Sequence, residues 1–235
     1  QILGATSARY TAHIVTSTSH SPWLVPESFP VNIPGEPALT AFAYVDDSIR
    51  AFMMALQQQP ERYAKTLFVI TADHTSGTIA GDQRERMRIP LIFYSPALRE
   101  QMIEWRQCQM RLAGQVDILP TILYLLGGGR LFAGMGRCLV AETRADPGCI
   151  SSSRSESFYL TESGMLGYDP YEDEATLALA DGTDPSPEQV ARARADFLAL
   201  YEVSRRLVWE HRIVPATIRE LPTRDLTSSA GAGGR

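Results

Sequence analysis

The chain has 235 residues, 44% of them hydrophobic and 21% charged, and carries a net charge of -5 at neutral pH. This is the make-up of a globular protein with one good core and room for a small appended layer. The acidic balance, with no basic block, excludes an electrostatic case for nucleic acid. The longest apolar neighbourhood, residues 116–126, is interrupted by Asp117 and Pro120 and is too short to span a bilayer.

No signal peptide is legible, and residues 1–12, beginning at Gln1, show no amphipathic start. The chain therefore reads as the carboxyl-terminal part of something longer, with any targeting or membrane segment upstream. Cys108, Cys138 and Cys149 lack C-x-x-C zinc spacing. Cys138 and Cys149 either pair in an oxidising compartment or stay as buried thiols.

In chain order, residues 13–18 form a short β-rich run ending in Ser19-His20-Ser21-Pro22-Trp23. A loop carrying Pro26, Pro30, Pro34 and Pro37 follows, its fixed φ angles suiting a surface excursion. Residues 38–58 are expected to be a helix, because Phe42, Val45, Ile49, Phe52, Met53 and Leu56 recur at three- and four-residue steps. Pro60 stops it. The run Leu67-Phe68-Val69-Ile70-Thr71-Ala72-Asp73-His74 then reads as a strand buried on both faces inside a mostly parallel sheet, ending abruptly at an Asp-His pair.

A polar loop with Asp82, Arg84, Glu85, Arg86 and Arg88 leads to residues 89–94, a second interior strand closed by Ser95-Pro96. Residues 118–126 are expected to be a short helix, with Asp117 as acidic N-cap, Pro120 in the first turn and Gly127-Gly128-Gly129 as the stop. Helix, strand, strand and helix in that order are α/β in style. Beyond them, residues 158–161 and 176–179 look like short strands separated by an acidic turn. Residues 187–210 form an amphipathic helix with Val190, Ala193, Phe197, Leu200, Tyr201 and Leu207 on one side. Residues 228–235 are Gly/Ser/Ala-rich and expected to be disordered. No internal repeat is present.

Catalytic and ligand groups of open α/β sheets gather just beyond the carboxyl ends of strands. Asp73 and His74 stand at such a place, and carboxylate plus imidazole is a ligand pair for Zn or Mn. A lone Asp-His dipeptide is more often a turn cap beside a packing or solvent-facing histidine. His20 shifts the balance, because it too ends a β-like run, and two histidines at strand ends, one beside a carboxylate, can serve a metal and an anion. His13 and His211 have no such setting. Arg84, Arg86 and Arg88 could grip a phosphate, but their alternation with Asp82 and Glu85 fits a solvated, self-paired loop better. Trp23 lines a substrate entrance or anchors its loop. No Gly-x-Ser-x-Gly elbow, Walker loop or dinucleotide fingerprint occurs.

Four segments in order carry a family resemblance: Phe42-Ala43-Tyr44-Val45-Asp46-Asp47-Ser48-Ile49; Leu67 through Ser76; Arg88-Ile89-Pro90-Leu91-Ile92-Phe93-Tyr94; and Gln115-Val116-Asp117-Ile118-Leu119-Pro120-Thr121. Together they resemble the carboxyl-terminal half of the lipoteichoic acid synthase-like branch of the sulfatase and alkaline phosphatase superfamily. Gly136-Arg137-Cys138-Leu139 resembles the segment that follows. The likeness is good over residues 14–140 and weak beyond.

The resemblance implies an α/β fold with an alkaline-phosphatase-like mixed sheet flanked by helices, present in part. It implies one divalent metal, manganese first, with magnesium or zinc as alternatives. Asp73 and His74 match two metal ligands, and His20 matches the histidine that contacts the substrate phosphate. In such enzymes a metal-activated Thr or Ser attacks a phosphoglycerol headgroup and passes it to an acceptor. The nucleophile and the remaining acidic ligand belong to the family's amino-terminal half, so no Thr or Ser here takes that role. Residues 1–145 are then the carboxyl-terminal half of a sulfatase-like catalytic domain, 146–226 a small antiparallel strand-plus-helix layer, and 227–235 a tail.

The leading expectation is part of a metal-dependent phosphoglycerol transferase, inactive without the other half. Its substrate would be a lipid- or glycan-linked phosphoglycerol compound, handled at the extracytoplasmic face of a bacterial membrane or in the periplasm, with membrane contact only through upstream segments. Phosphotransfer is preferred over sulfate hydrolysis because an Asp-His pair suits Mn or Zn. The alternatives are a sulfuric or phosphoric ester hydrolase of the same superfamily, or a non-catalytic fragment that keeps only the sheet.

Overall fold

The computed structural model describes residues 10–75, 82–108, 111–127, 134–141, 148–152 and 156–210. Two compact units divide the chain, Gln1–Ile103 and Glu104–Arg235.

In the first unit, residues 10–36 run without regular structure, then α1 spans Pro37–Gln57. Pro37 opens the helix where its missing N–H costs nothing. Thr40, buried in the first turn, accepts the Ile33 N–H (2.9 Å) and donates to the Glu36 carbonyl (3.2 Å), tying the proline-rich loop to the helix. Of the expected apolar stripe, Leu56 is buried, Phe42, Val45, Ile49 and Met53 are half-buried, and Phe52 is exposed. Pro60 does more than stop α1, because it begins a second short helix, α2 (Pro60–Ala64).

Strand β1 (Phe68–Thr71) pairs antiparallel with β2 (Leu91–Tyr94), with Phe68 opposite Tyr94 and Thr71 opposite Leu91. This corrects the expectation of an interior strand of a mostly parallel sheet. Only Phe68 of β1 is buried, and among the described residues the two strands form a sheet of their own. Parallel pairing needs a long crossover, usually helical, whereas the described part of this connection holds a single 3-10 turn, Glu85–Met87. Phe68 packs with Tyr63 and Tyr94 at centroid distances of 5.8 and 5.9 Å, and the two tyrosine hydroxyls share a 2.9 Å hydrogen bond. The β-rich run at residues 13–18 is not a strand. Val15 lies 80% exposed there, and a β-branched run gains little from an extended form without a ladder partner.

After α3 (Arg99–Glu104), the second unit contains α4 (Ile118–Leu125), preceded by a 3-10 turn, Gln115–Asp117. Asp117 is not the helix cap expected from the sequence. Its own backbone is helical (φ -82°, ψ -13°) and its side chain makes no cap bond to α4. Buried at 4% exposure, it accepts the Gly114 N–H (2.8 Å) and the Arg137 N–H (2.8 Å). Thr121, fully buried, donates to the Asp117 carbonyl (2.7 Å) and accepts the Leu139 N–H (3.0 Å). Arg111 reaches the Leu139 and Ala141 carbonyls, and Arg137 reaches that of Leu112. The Asp117–Thr121 motif and the Gly136–Leu139 motif are thus two sides of one polar interlock.

Beyond it lies an antiparallel meander, β3 (Cys149–Ser152), β4 (Ser157–Leu160), β5 (Gly164–Asp169) and β6 (Glu174–Leu179), paired in that order. Tyr159, Leu166 and Leu177 stand opposite one another across three strands. Phe197 of α5 (Pro187–Trp209), fully buried, packs with Tyr159 and Leu166 in the core. The helix starts at a reciprocal cap. Ser186 Oγ accepts the Gln189 N–H (3.3 Å), and Gln189 Oε1 accepts the Ser186 N–H (2.8 Å). This small antiparallel layer under a terminal helix is the one expected from the sequence, with β3 and β5 added. Cys108, Cys138 and Cys149 are half-buried, and none of them is in a disulfide with another described residue. The 227–235 tail, His211 and Gly128-Gly129 lie outside the described residues. Among the described residues no helix is long and apolar enough to cross a membrane.

One pH dependence follows from α5. Glu202 accepts from Arg205 and Arg206, and these bonds lower its pKa from 4.5 to about 2. A depressed carboxylate pKa contributes stability above the unfolded value, lost as pH falls through the folded one. Acidification from pH 5 to about 2 is therefore expected to loosen α5 more in the wild type than in Glu202→Gln, read by helical circular dichroism; equal losses would remove this carboxylate from the account.

Candidate metal centre and anion contact

β1 delivers the chain to Asp73 and His74, both exposed at its carboxyl end. One Asp73 oxygen, Oδ1, accepts the His74 N–H at 2.9 Å, which fixes the carboxylate and turns Oδ2 toward the imidazole. His74 Nδ1 lies 2.7 Å from the Thr75 carbonyl. A carbonyl only accepts, so Nδ1 carries the proton, and in the neutral tautomer of that kind the lone pair lies at Nε2. Nε2 and Asp73 Oδ2 are 3.6 Å apart, with the side chains 70% and 87% exposed. Two donors about 2.1 Å from one tetrahedral ion stand roughly 3.4 Å apart. The pair therefore fits a divalent cation in chemistry and in spacing.

Thr75, the residue after this pair, is tied to the turn at residues 85–87. Thr75 Oγ1 donates to the Arg86 carbonyl at 2.6 Å. Arg86 belongs to the Glu85–Met87 turn, where Asp82 accepts the Glu85 N–H (2.9 Å) and Arg88 pairs with Glu85 (3.1 Å). Arg88 and Glu85 thus pair within the loop, as the alternating charges suggested for it. Its contribution to the strand end is a backbone carbonyl. Thr75 carries no sequence signal beyond its place after the Asp-His pair, and sequence reasoning missed it.

His20 sits in a turn made by its own N–H on the Ser17 carbonyl (3.1 Å) and the Trp23 N–H on the His20 carbonyl (3.0 Å). Its Nδ1 lies 2.7 Å from the Ser21 carbonyl, the same arrangement as in His74, so Nε2 again points the chemistry outward. Trp23 meets Phe42 edge-on at 5.7 Å, and Phe29 meets Tyr44 at 5.1 Å. These contacts pin the loop to α1, and Trp23 is an anchor. Among the described residues no group of three or more His, Cys, Asp or Glu side chains could hold a metal ion. Asp73 and His74 come together, while His20 stands outside that pair.

Residues 4–128 match the sulfatase family. The chain is also similar in fold to a solved protein of the alkaline phosphatase superfamily from Vibrio parahaemolyticus, with 20% identity and a TM-score of 0.63. That likeness covers 83% of this chain and 48% of the other, so the chain spans about half the length of that protein. No curated protein matches.

Proposed function

The chain belongs to the sulfatase family, and from that premise we propose that it supplies part of the active site of a metal-dependent phosphoglycerol transferase. The observation that carries the proposal is the Asp73–His74 pair, two oriented donors 3.6 Å apart at the end of a strand. Asp73 and His74 would hold the ion, manganese in the first instance with magnesium or zinc as alternatives. Held there, such an ion would supply Lewis-acid stabilisation of charge on the ester oxygens. His20, once protonated at Nε2, donates a charge-assisted hydrogen bond to a non-bridging oxygen of the substrate. Both rings are oriented by backbone carbonyls.

A phosphoester needs a nucleophile and further acidic ligands, and a residue pair does not supply them. We therefore expect the other half of the fold to bring them, and a lipid- or glycan-linked phosphoglycerol compound to be the substrate, at the outer face of a bacterial membrane or in the periplasm. The family match equally favours a second reading, hydrolysis of a sulfuric or phosphoric ester at the same pair.

Free Mn²⁺, followed by electron paramagnetic resonance as it is added to a protein in which the other half of the fold accompanies this chain, tests the pair directly. Asp73→Asn is expected to weaken uptake by about tenfold or more; uptake that this substitution leaves unmoved would overturn the metal assignment. The chain alone is expected to turn over neither a phosphodiester nor a sulfate ester. Turnover by the chain itself, abolished by His74→Ala, would defeat the half-site reading.

A further inference from the structure

We propose that Thr75 is the positioning residue of His74, locking the imidazole so that Nε2 faces Asp73. The inference rests on the metal reading of the Asp73–His74 pair and adds the group that sets its geometry.

The path can be followed atom by atom. The acidic-basic turn at residues 82–88 is self-braced through Asp82, Glu85 and Arg88, which places the Arg86 carbonyl. Thr75 Oγ1 donates to that carbonyl at 2.6 Å. With its side chain tied there, Thr75 turns its own carbonyl to the His74 ring, where Nδ1 donates at 2.7 Å. That bond selects the tautomer with the lone pair on Nε2, the nitrogen 3.6 Å from Asp73 Oδ2. An exposed imidazole without such a bond turns about its side-chain torsions and exchanges tautomers, at a cost in ordering when a cation arrives. Thr75 removes much of that cost in advance. The hydroxyl, not the bulk of the side chain, does this. Serine should therefore replace threonine, whereas isosteric valine should not.

The experiment is nitrogen NMR of the His74 ring in the full chain at pH 8, compared across wild type, Thr75→Ser, Thr75→Val and Thr75→Ala. The wild type and Thr75→Ser are expected to show the Nδ1–H form. Thr75→Val and Thr75→Ala are expected to lose it in favour of the tautomer mixture of a free imidazole. Added Mn²⁺ should broaden the His74 signals, and the two hydroxyl-less variants should need about tenfold more of it. Retention of the Nδ1–H form by both would overturn the proposal, as would a Thr75→Ser that behaves like Thr75→Val. Should Thr75→Val lose its native chemical-shift dispersion, Thr75→Ala decides. A tautomer change in the variants with no Mn²⁺ broadening at His74 in any chain would support the positioning role and remove the metal reading, so the two failures are separable.

Discussion

In a protein that completes the fold, His74→Ala is expected to lower metal-dependent ester turnover by about 10²-fold or more, with the unfolding temperature within about 2 °C of wild type. The separation follows from what the side chain touches. The His74 side chain is 70% exposed, and its ring bonds to the neighbouring Thr75 carbonyl, so its removal takes little from the folded state. Its proposed chemical role is larger. Loss of about 3 kcal/mol of charge stabilisation corresponds to roughly two decades of rate at 1.36 kcal/mol per decade. Asp73→Asn should behave similarly, because the amide keeps an oxygen for the His74 N–H but gives up the anionic donor. Parallel measurement of turnover and melting decides. Unchanged turnover, or a rate loss matched by a large fall in melting temperature, would contradict a chemical role.

Gly136→Ala is expected to destabilise the second unit by about 3 kcal/mol, through overpacking against atoms that cannot yield. A Cβ at Gly136 would lie 1.8 Å from the Val116 carbonyl oxygen and 2.4 Å from its carbon. Both are backbone atoms, so the segments must separate. Separation breaks the Arg137 N–H bond to Asp117 and the Leu139 N–H bond to Thr121. Asp117, a charge buried at 4% exposure, then loses one of its two donors. Gly167→Ala is the comparison, since its nearest contacts are side-chain atoms, Thr176 Oγ1 at 3.1 Å first. A calorimetric melt should place Gly136→Ala roughly 6–12 °C below wild type for a chain of 235 residues, with Gly167→Ala much closer. Equal melting of the two alanine variants would show that the interlock tolerates movement.

Elements with a full helical repeat were legible from residues alone. Residues 38–58 and 187–210 became α1 and α5 within one residue at each end, because many apolar positions vote for the same face. Short β-rich runs were ambiguous. Residues 67–74 and 13–18 carry similar β-branched signals, yet only the first has a partner strand, and partners are distant in sequence. β5 was missed because Gly164 and Gly167 weaken its pattern; its place between β4 and β6 is what holds it. Asp117 was legible as a structural acid, but its partner Arg137 lies twenty residues on, beyond any capping rule. At the site, the adjacency of Asp73 and His74 was readable, whereas the return of the Arg86 carbonyl to Thr75 depends on the path of a loop.

The tie between Thr75 and Arg86 joins residues only eleven apart. Contacts of such short separation close in about 10–100 ns, and longer loops add only slowly to the entropic cost. The Asp73–His74 pair, proposed above as half of a metal centre, is therefore ordered by a local contact that needs no distant segment. If the proposed centre is completed by residues from elsewhere, they would find the histidine already aimed, and a cation would bind without rearranging the strand that presents it.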